Sequence, residues 1–259
     1  MTTPFDAAIR EIGARRYHNH RLETHSDIVS EQIYDDLLRT CEPLRVDAES
    51  GVVRKWLNVP SPGDRARRVD LFVGEPGSDD GPDITKVRIA LENKSVITAH
   101  RNRTNRFDDL SKVLAAVHHA RPEAILVATV LVGLSRRVLN IPDHVHKFFR
   151  GREDEFNERV LPRLSSGDES LWTEFDWAVS KNTEADPAKT LELLRTLPTR
   201  KPGFTHTVGY DFVLNVPVLI DNVNPPGIPR PNALGIDVDA QYAALLDQVC
   251  SAYTARWHT

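Results

Sequence analysis

Apolar residues recur along this chain with two periods, and the switches between them predict an α/β order. Ile28, Ile33, Leu37 and Leu38 give a broad apolar face to a helix over Asp27 to Arg39, with Ser26 placed to cap it. Val52 to Val59 is rich in β-branched and aromatic residues and ends on Pro60, Pro62 and Gly63, which predicts a strand. In Arg68 to Val73, Val69, Leu71 and Val73 alternate with Arg68, Asp70 and Phe72, so Asp70 projects from the face opposite the aliphatic row. Gly74 to Asp83 predicts a turn. Ile84 to Ile97 predicts a third strand, with Val87, Ile89 and Leu91 on one face and Ala90, Glu92 and Lys94 on the other.

Asp108 or Asp109 then caps a helix in which Leu110, Val113, Leu114 and Val117 follow helical spacing. Ala124 to Leu131 is a Val- and Ile-rich run of the kind buried on both faces of a sheet. From Ile141 to Thr199 the pattern is mainly helical, closing with a helix over Pro187 to Leu197. Tyr210 to Ile220 predicts another strand, Asp221 to Pro231 a Pro- and Asn-rich loop, and Asp237 to Ala255 a last helix. Asp237 and Asp239 suit the start of that helix better than a metal pair. The expected organisation is one domain over residues 1–259, with a core at 26–132, a mainly helical insertion at 141–199 and a C-terminal strand, loop and helix at 205–259.

Composition narrows the setting. The longest apolar run, Ala124 to Leu134, is far below the roughly 20 residues of a membrane-spanning helix, and no apolar signal core is visible, which predicts a cytoplasmic protein with no membrane partner. Cys41 and Cys250, far apart in sequence, are expected to be reduced thiols. The net charge of -4 gives no general attraction to nucleic acid, so the placement of basic groups matters more than their sum. Ser95 to Arg106 has no acidic residue and concentrates His100, Arg101, Arg103 and Arg106. These four are the candidate phosphate contacts.

Hydrolysis of a phosphodiester needs a positioned water and neutralisation of phosphate charge, which carboxylate-held divalent metals supply together. The midpoint between Asp70 and Glu92 is Gly81, inside the expected turn, so an antiparallel hairpin would set the two carboxylates opposite each other, with Cβ atoms roughly 4.5–5.5 Å apart. That spacing suits one magnesium ion, and the backbone carbonyl of Asn93 is a further oxygen donor. Lys94 follows two residues after Glu92 on the same strand face, where an ammonium can orient water and offset developing charge.

Val69-Asp70 followed by Glu92-Asn93-Lys94 resembles the motif of the PD-(D/E)XK nuclease superfamily, which includes many type II restriction endonucleases. The similarity covers Ser26 to Val132, where the predicted helix, three-strand meander, helix and strand match the family's core. Val69 stands where the family's nominal proline would be, a position the family leaves loose. The resemblance implies a restriction-endonuclease-like fold and magnesium-dependent cleavage of double-stranded DNA, most simply by a type II restriction enzyme; symmetric cleavage of both strands would favour a homodimer. It also implies an acidic residue from the first helix, for which Glu31 is the candidate and Asp35 the substitute. A repair or mobile-element nuclease would use the same centre. A noncatalytic DNA-binding or assembly module of the same fold is the contrasting class.

Other signals are weaker. His18, His20 and His25 match no zinc spacing, and His118 and His119 are expected to be structural. No GxGxxG, Walker A, GxSxG or kinase motif is present. The Asp221 to Pro231 loop is either a recognition loop or an ordinary turn.

Overall fold

A mixed five-stranded sheet organises the chain, seen in a computed structural model that describes residues 3–14, 23–61, 64–97, 100–140, 143–166, 168, 170–174, 178–201, 207–221, 224–230 and 233–258. Helices α1 (Pro4–Ala14), α2 (Glu23–Thr40) and α3 (Glu42–Glu49) lead into strands β1 (Arg54–Ser61), β2 (Asp64–Pro76) and β3 (Pro82–Val96). Helix α4 (Arg103–Ala120) crosses to β4 (Ile125–Gly133). There follow β5 (Arg137–Asn140), α5 (Asp143–Phe149), α6 (Glu153–Arg159), α7 (Leu161–Ser165), α8 (Ser170–Glu174), β6 (Ala178–Lys181) and α9 (Asp186–Leu194). Strand β7 (Phe212–Val218) and α10 (Val238–Trp257) close the chain.

The sheet runs β1-β2-β3-β4-β7, with β1, β2 and β3 antiparallel and β3, β4 and β7 parallel. An α/β fold is therefore present; the expected helix, three strands, helix and strand occur in sequence, but α1 precedes them and α3 stands between the first helix and the first strand, neither of which the sequence pattern predicted. Helices α2, α3 and α10 pack together over one face, and α4 with α9 over the other. The run at β4 is buried on both faces, which explains its unbroken Val and Ile content.

Several boundaries move for identifiable reasons. The expected turn at Gly74 to Asp83 is shorter, because β2 and β3 continue past two register shifts beside Gly74 and close through Gly77, whose N–H donates to Gly81 O at 2.8 Å. A side chain at Gly74 would sit 2.6 Å from the Lys86 carbonyl, so this strand position needs glycine. Helix α4 starts at Arg103 rather than at Asp108 or Asp109, continuing a 3-10 turn at His100–Asn102. Asp237 caps α10 as expected, accepting from the Ala240 N–H at 3.0 Å. The insertion is mainly helical, but β6 pairs with β5 in a small second sheet, and Phe149 and Phe156 meet edge to face at 5.2 Å in its own apolar cluster. No helix among the described residues is long and apolar enough to cross a membrane.

The cysteines overturn an expectation. Cys41, between α2 and α3, is disulfide-bonded to Cys250 of α10, with Cα atoms 5.2 Å apart. Distance in sequence misled, because α10 returns to pack on α2 and α3. Bonds of this kind are uncommon in reducing compartments. A disulfide typically stabilises a fold by roughly 2–4 kcal/mol. Denaturant melts of the oxidised protein and of Cys41→Ser should differ by that amount, whereas coincident midpoints would show that the two thiols are not paired in solution.

Candidate active site

The ladder between β2 and β3 ends at Leu71 and Leu91, and continuing its register by one step sets Asp70 opposite Glu92. At that step β2 leaves β3. The Asp70 carboxylate takes over the role of the missing strand, accepting the Asn93 N–H at 2.6 Å. In an extended strand the N–H and C=O of one residue point to the same edge, so the Asn93 carbonyl faces the gap that β2 has vacated. Glu92 and Lys94 share a face, and the Lys94 ammonium donates to Glu92 Oε1.

The second oxygen of Glu92 has no partner. Glu92 is 1% exposed, and its buried Oε2 makes no hydrogen bond. Burial raises the Glu92 carboxyl from its ordinary value near 4.5 to about 7, the Asp70 charge pushes the same way, and Lys94 opposes both. Asp70 is likewise raised, first by burial, against the pull of Lys94 and of the Asn93 N–H. Two desolvated carboxylates with a single ammonium, on Glu92, are short of positive charge.

The site opens into a cleft of about 230 Å³ whose walls include Phe5, Ser26, Asn58, Arg68, Asp70 and Lys94. The Asn93 side chain pins α2 to this edge, its amide donating to Ser26 Oγ at 2.9 Å and Ser30 Oγ at 2.8 Å while its oxygen accepts from Thr129. Ser26 therefore sits inside the helix, whose first turn begins at Glu23, rather than at its cap; its hydroxyl also hydrogen-bonds Asp70.

Glu31 and Asp35 do not enter the cleft. Glu31 is exposed and pairs with Lys55 at 3.4 Å, and Asp35 is exposed one turn later. Asp27, one turn before Glu31 on the same helix face, is the acid whose charge reaches Asp70, and the Asn58 amide donates to its Oδ1 at 2.9 Å. Asn58 has a left-handed backbone, φ 54°, a conformation that costs of order 1–3 kcal/mol for a residue other than glycine and least for Asn or Asp.

The basic segment divides. His100 is buried, not a surface group: its Nε2 meets Gly133 O at 2.8 Å and its Nδ1 meets Thr190 Oγ1 at 2.6 Å, while burial lowers its pKa. It fastens the start of α4 to β4 and α9. Arg103 pairs with Asp186 at 3.5 Å and Arg106 with Asp109 at 3.1 Å, while Arg101 is exposed. His118 is structural as expected, buried with Nε2 at 3.2 Å from Ala124 O and its pKa lowered to about 4 by burial. His25 is buried at the cleft wall, and His18 and His20 lie outside the described residues. In the C-terminal loop, Asp221 accepts the Asn224 N–H at 2.7 Å, the bond of an ordinary turn.

Among the described residues, no three His, Cys, Asp or Glu side chains are grouped as a metal cluster. Comparison with known protein families, curated proteins and solved structures finds no match. The site therefore stands on its own geometry.

Proposed function

We propose that this chain is a magnesium-dependent endonuclease of the PD-(D/E)XK type, with a restriction-endonuclease-like core, that hydrolyses double-stranded DNA. The observation that carries the reading is the pair of opposed, partly desolvated carboxylates, Asp70 and Glu92, with an unpartnered Glu92 oxygen and Lys94 alongside. Hard oxygen donors of this kind fit magnesium, which is often held by one or two carboxylates and keeps several waters for exchange with phosphate oxygens. Asp70, Glu92 and the Asn93 carbonyl would hold it. When bound, the ion supplies Lewis acidity to the phosphate and a more acidic water.

The chain's own residues complete the chemistry. Lys94 orients the attacking water and places positive charge against the phosphate as negative charge develops. Asp70 is held in place by the Asn93 N–H and the Ser26 hydroxyl, which fixes the direction of its carboxylate. Arg68 at the cleft wall and exposed Arg101 supply phosphate contacts, whereas Arg103 and Arg106 already have carboxylate partners.

Incubating a defined plasmid with magnesium tests the reading. Discrete fragments match a type II restriction role, for which a homodimer would place one centre on each strand; a heterogeneous smear matches a repair or mobile-element role; binding without cutting favours the noncatalytic module. A second expectation concerns charge: Arg68→Ala with Arg101→Ala should weaken DNA binding and reduce the steepness of its salt dependence by about two counterions, since two phosphate contacts are lost. An unchanged slope would remove both residues from the interface.

A further inference from the structure

Of the three non-glycine residues with positive φ among those described, Asn58, Asp80 and Leu234, only Asn58 lies within a strand. Its neighbours keep the ladder, Leu57 pairing with Leu71 and Val59 with Val69, so the distortion is confined to one residue, the one opposite Asp70. The Asn58 carboxamide reaches α2 and donates to Asp27 Oδ1 at 2.9 Å, and its backbone carbonyl accepts from Arg68 Nη1 at 3.3 Å. Asp27 in turn adds negative charge beside Asp70.

Like charge pushes the Asp27 and Asp70 carboxylates apart, so a contact that restrains Asp27 keeps its charge near Asp70. A lysine or arginine would do so at the expense of the field, because its charge would cancel the acid it held. A neutral amide donor restrains the carboxylate and leaves its charge intact. Asn also tolerates the left-handed region better than other side chains able to donate.

We propose that Asn58 is a positioning residue: its left-handed backbone turns the carboxamide onto Asp27 and holds that carboxylate beside Asp70, which strengthens the site's hold on a divalent cation. This inference rests on the metal-dependent reading above. An outer-shell contact of this type is worth about 10- to 100-fold in metal affinity.

Manganese, titrated calorimetrically into the whole chain, is the probe. The Asn58→Gly variant should bind manganese about 10- to 100-fold more weakly than wild type, yet melt at the same or a higher temperature, because glycine adopts this backbone without strain. A residue with only a structural role would show the opposite pattern. Asp27→Asn should lose a comparable factor, and the double variant should lose no more than either single one, since both act through one contact. Wild-type affinity in a folded Asn58→Gly variant, or in Asp27→Asn, overturns the role of Asn58 while leaving the metal centre standing. Failure of the wild-type protein to bind manganese overturns the metal-dependent reading and the inference with it.

Discussion

Glu92→Gln should abolish metal-dependent cleavage and, above neutral pH without metal, make the protein more stable than wild type. The sign follows from burial. Glu92 holds its proton up to about pH 7 in the folded chain but releases it near 4.5 when unfolded, so between these values the native state binds more protons and stability falls as pH rises. The deficit is complete above pH 7 and corresponds to about 3 kcal/mol. Glutamine fills the same space without charge and removes it. Thermal melts should therefore coincide near pH 4.5 and diverge toward pH 8, with the variant higher. Magnesium should raise the wild-type melting point at pH 8 and leave the variant nearly unmoved, because only a site that binds the ion gains from mass action. Parallel pH profiles for the two proteins would show that Glu92 is not held as a desolvated carboxylate.

The same proton predicts the pH dependence of metal binding. A carboxylate must be ionised to ligate, so wild-type affinity for magnesium should increase as pH rises through about 7. Turnover at limiting metal should rise with it.

The strand signals were legible because alternation is local. Val69, Leu71 and Val73, with Val87, Ile89 and Leu91, gave both the faces and the Asp70-to-Glu92 register before any tertiary information. The register came out as expected although the turn is shorter, since the shifts beside Gly74 alter the loop without moving the pair beyond it. What failed was depth. Asp27 and Glu31 occupy one helix face and differ by a single turn, and only the packing of α2 on β2 and β3 decides which of them reaches Asp70. The helix starts at Glu23, not at Asp27, which makes Asp27 an interior acid rather than part of the first turn.

Charge counting failed for a related reason. His100 counted as a surface cation, yet the chain folds it under α9, where Thr190 and Gly133 take both ring nitrogens. Carboxylates distant in sequence, such as Asp186, neutralise part of the remainder. The left-handed backbone of Asn58 had only a weak signal, an Asn between Leu57 and Val59 in an otherwise strand-like run. The disulfide depends on α10 returning to α2, a contact no local pattern encodes.

Lys94→Ala is the substitution that separates catalysis from binding. Its ammonium touches Glu92 and lines the cleft, whereas DNA affinity is spread over many phosphate contacts. The variant should keep its fold, because in the metal-free protein Glu92, already titrating near neutrality, can take up a proton when its partner is removed, and bound metal would displace that proton. Cleavage in magnesium should fall at least about 100-fold, the scale set by losing a charged group aimed at the reacting phosphate. Gel-shift affinity measured in calcium, whose looser coordination supports binding with little cutting, should stay within roughly threefold of wild type. The decisive measurement is therefore the initial rate of plasmid cleavage in magnesium by wild type and by folded Lys94→Ala, alongside their calcium gel shifts. The account predicts cutting by wild type alone with matched binding; equal rates, or a wild-type protein that binds duplex DNA and cuts it in neither magnesium nor manganese, would contradict it.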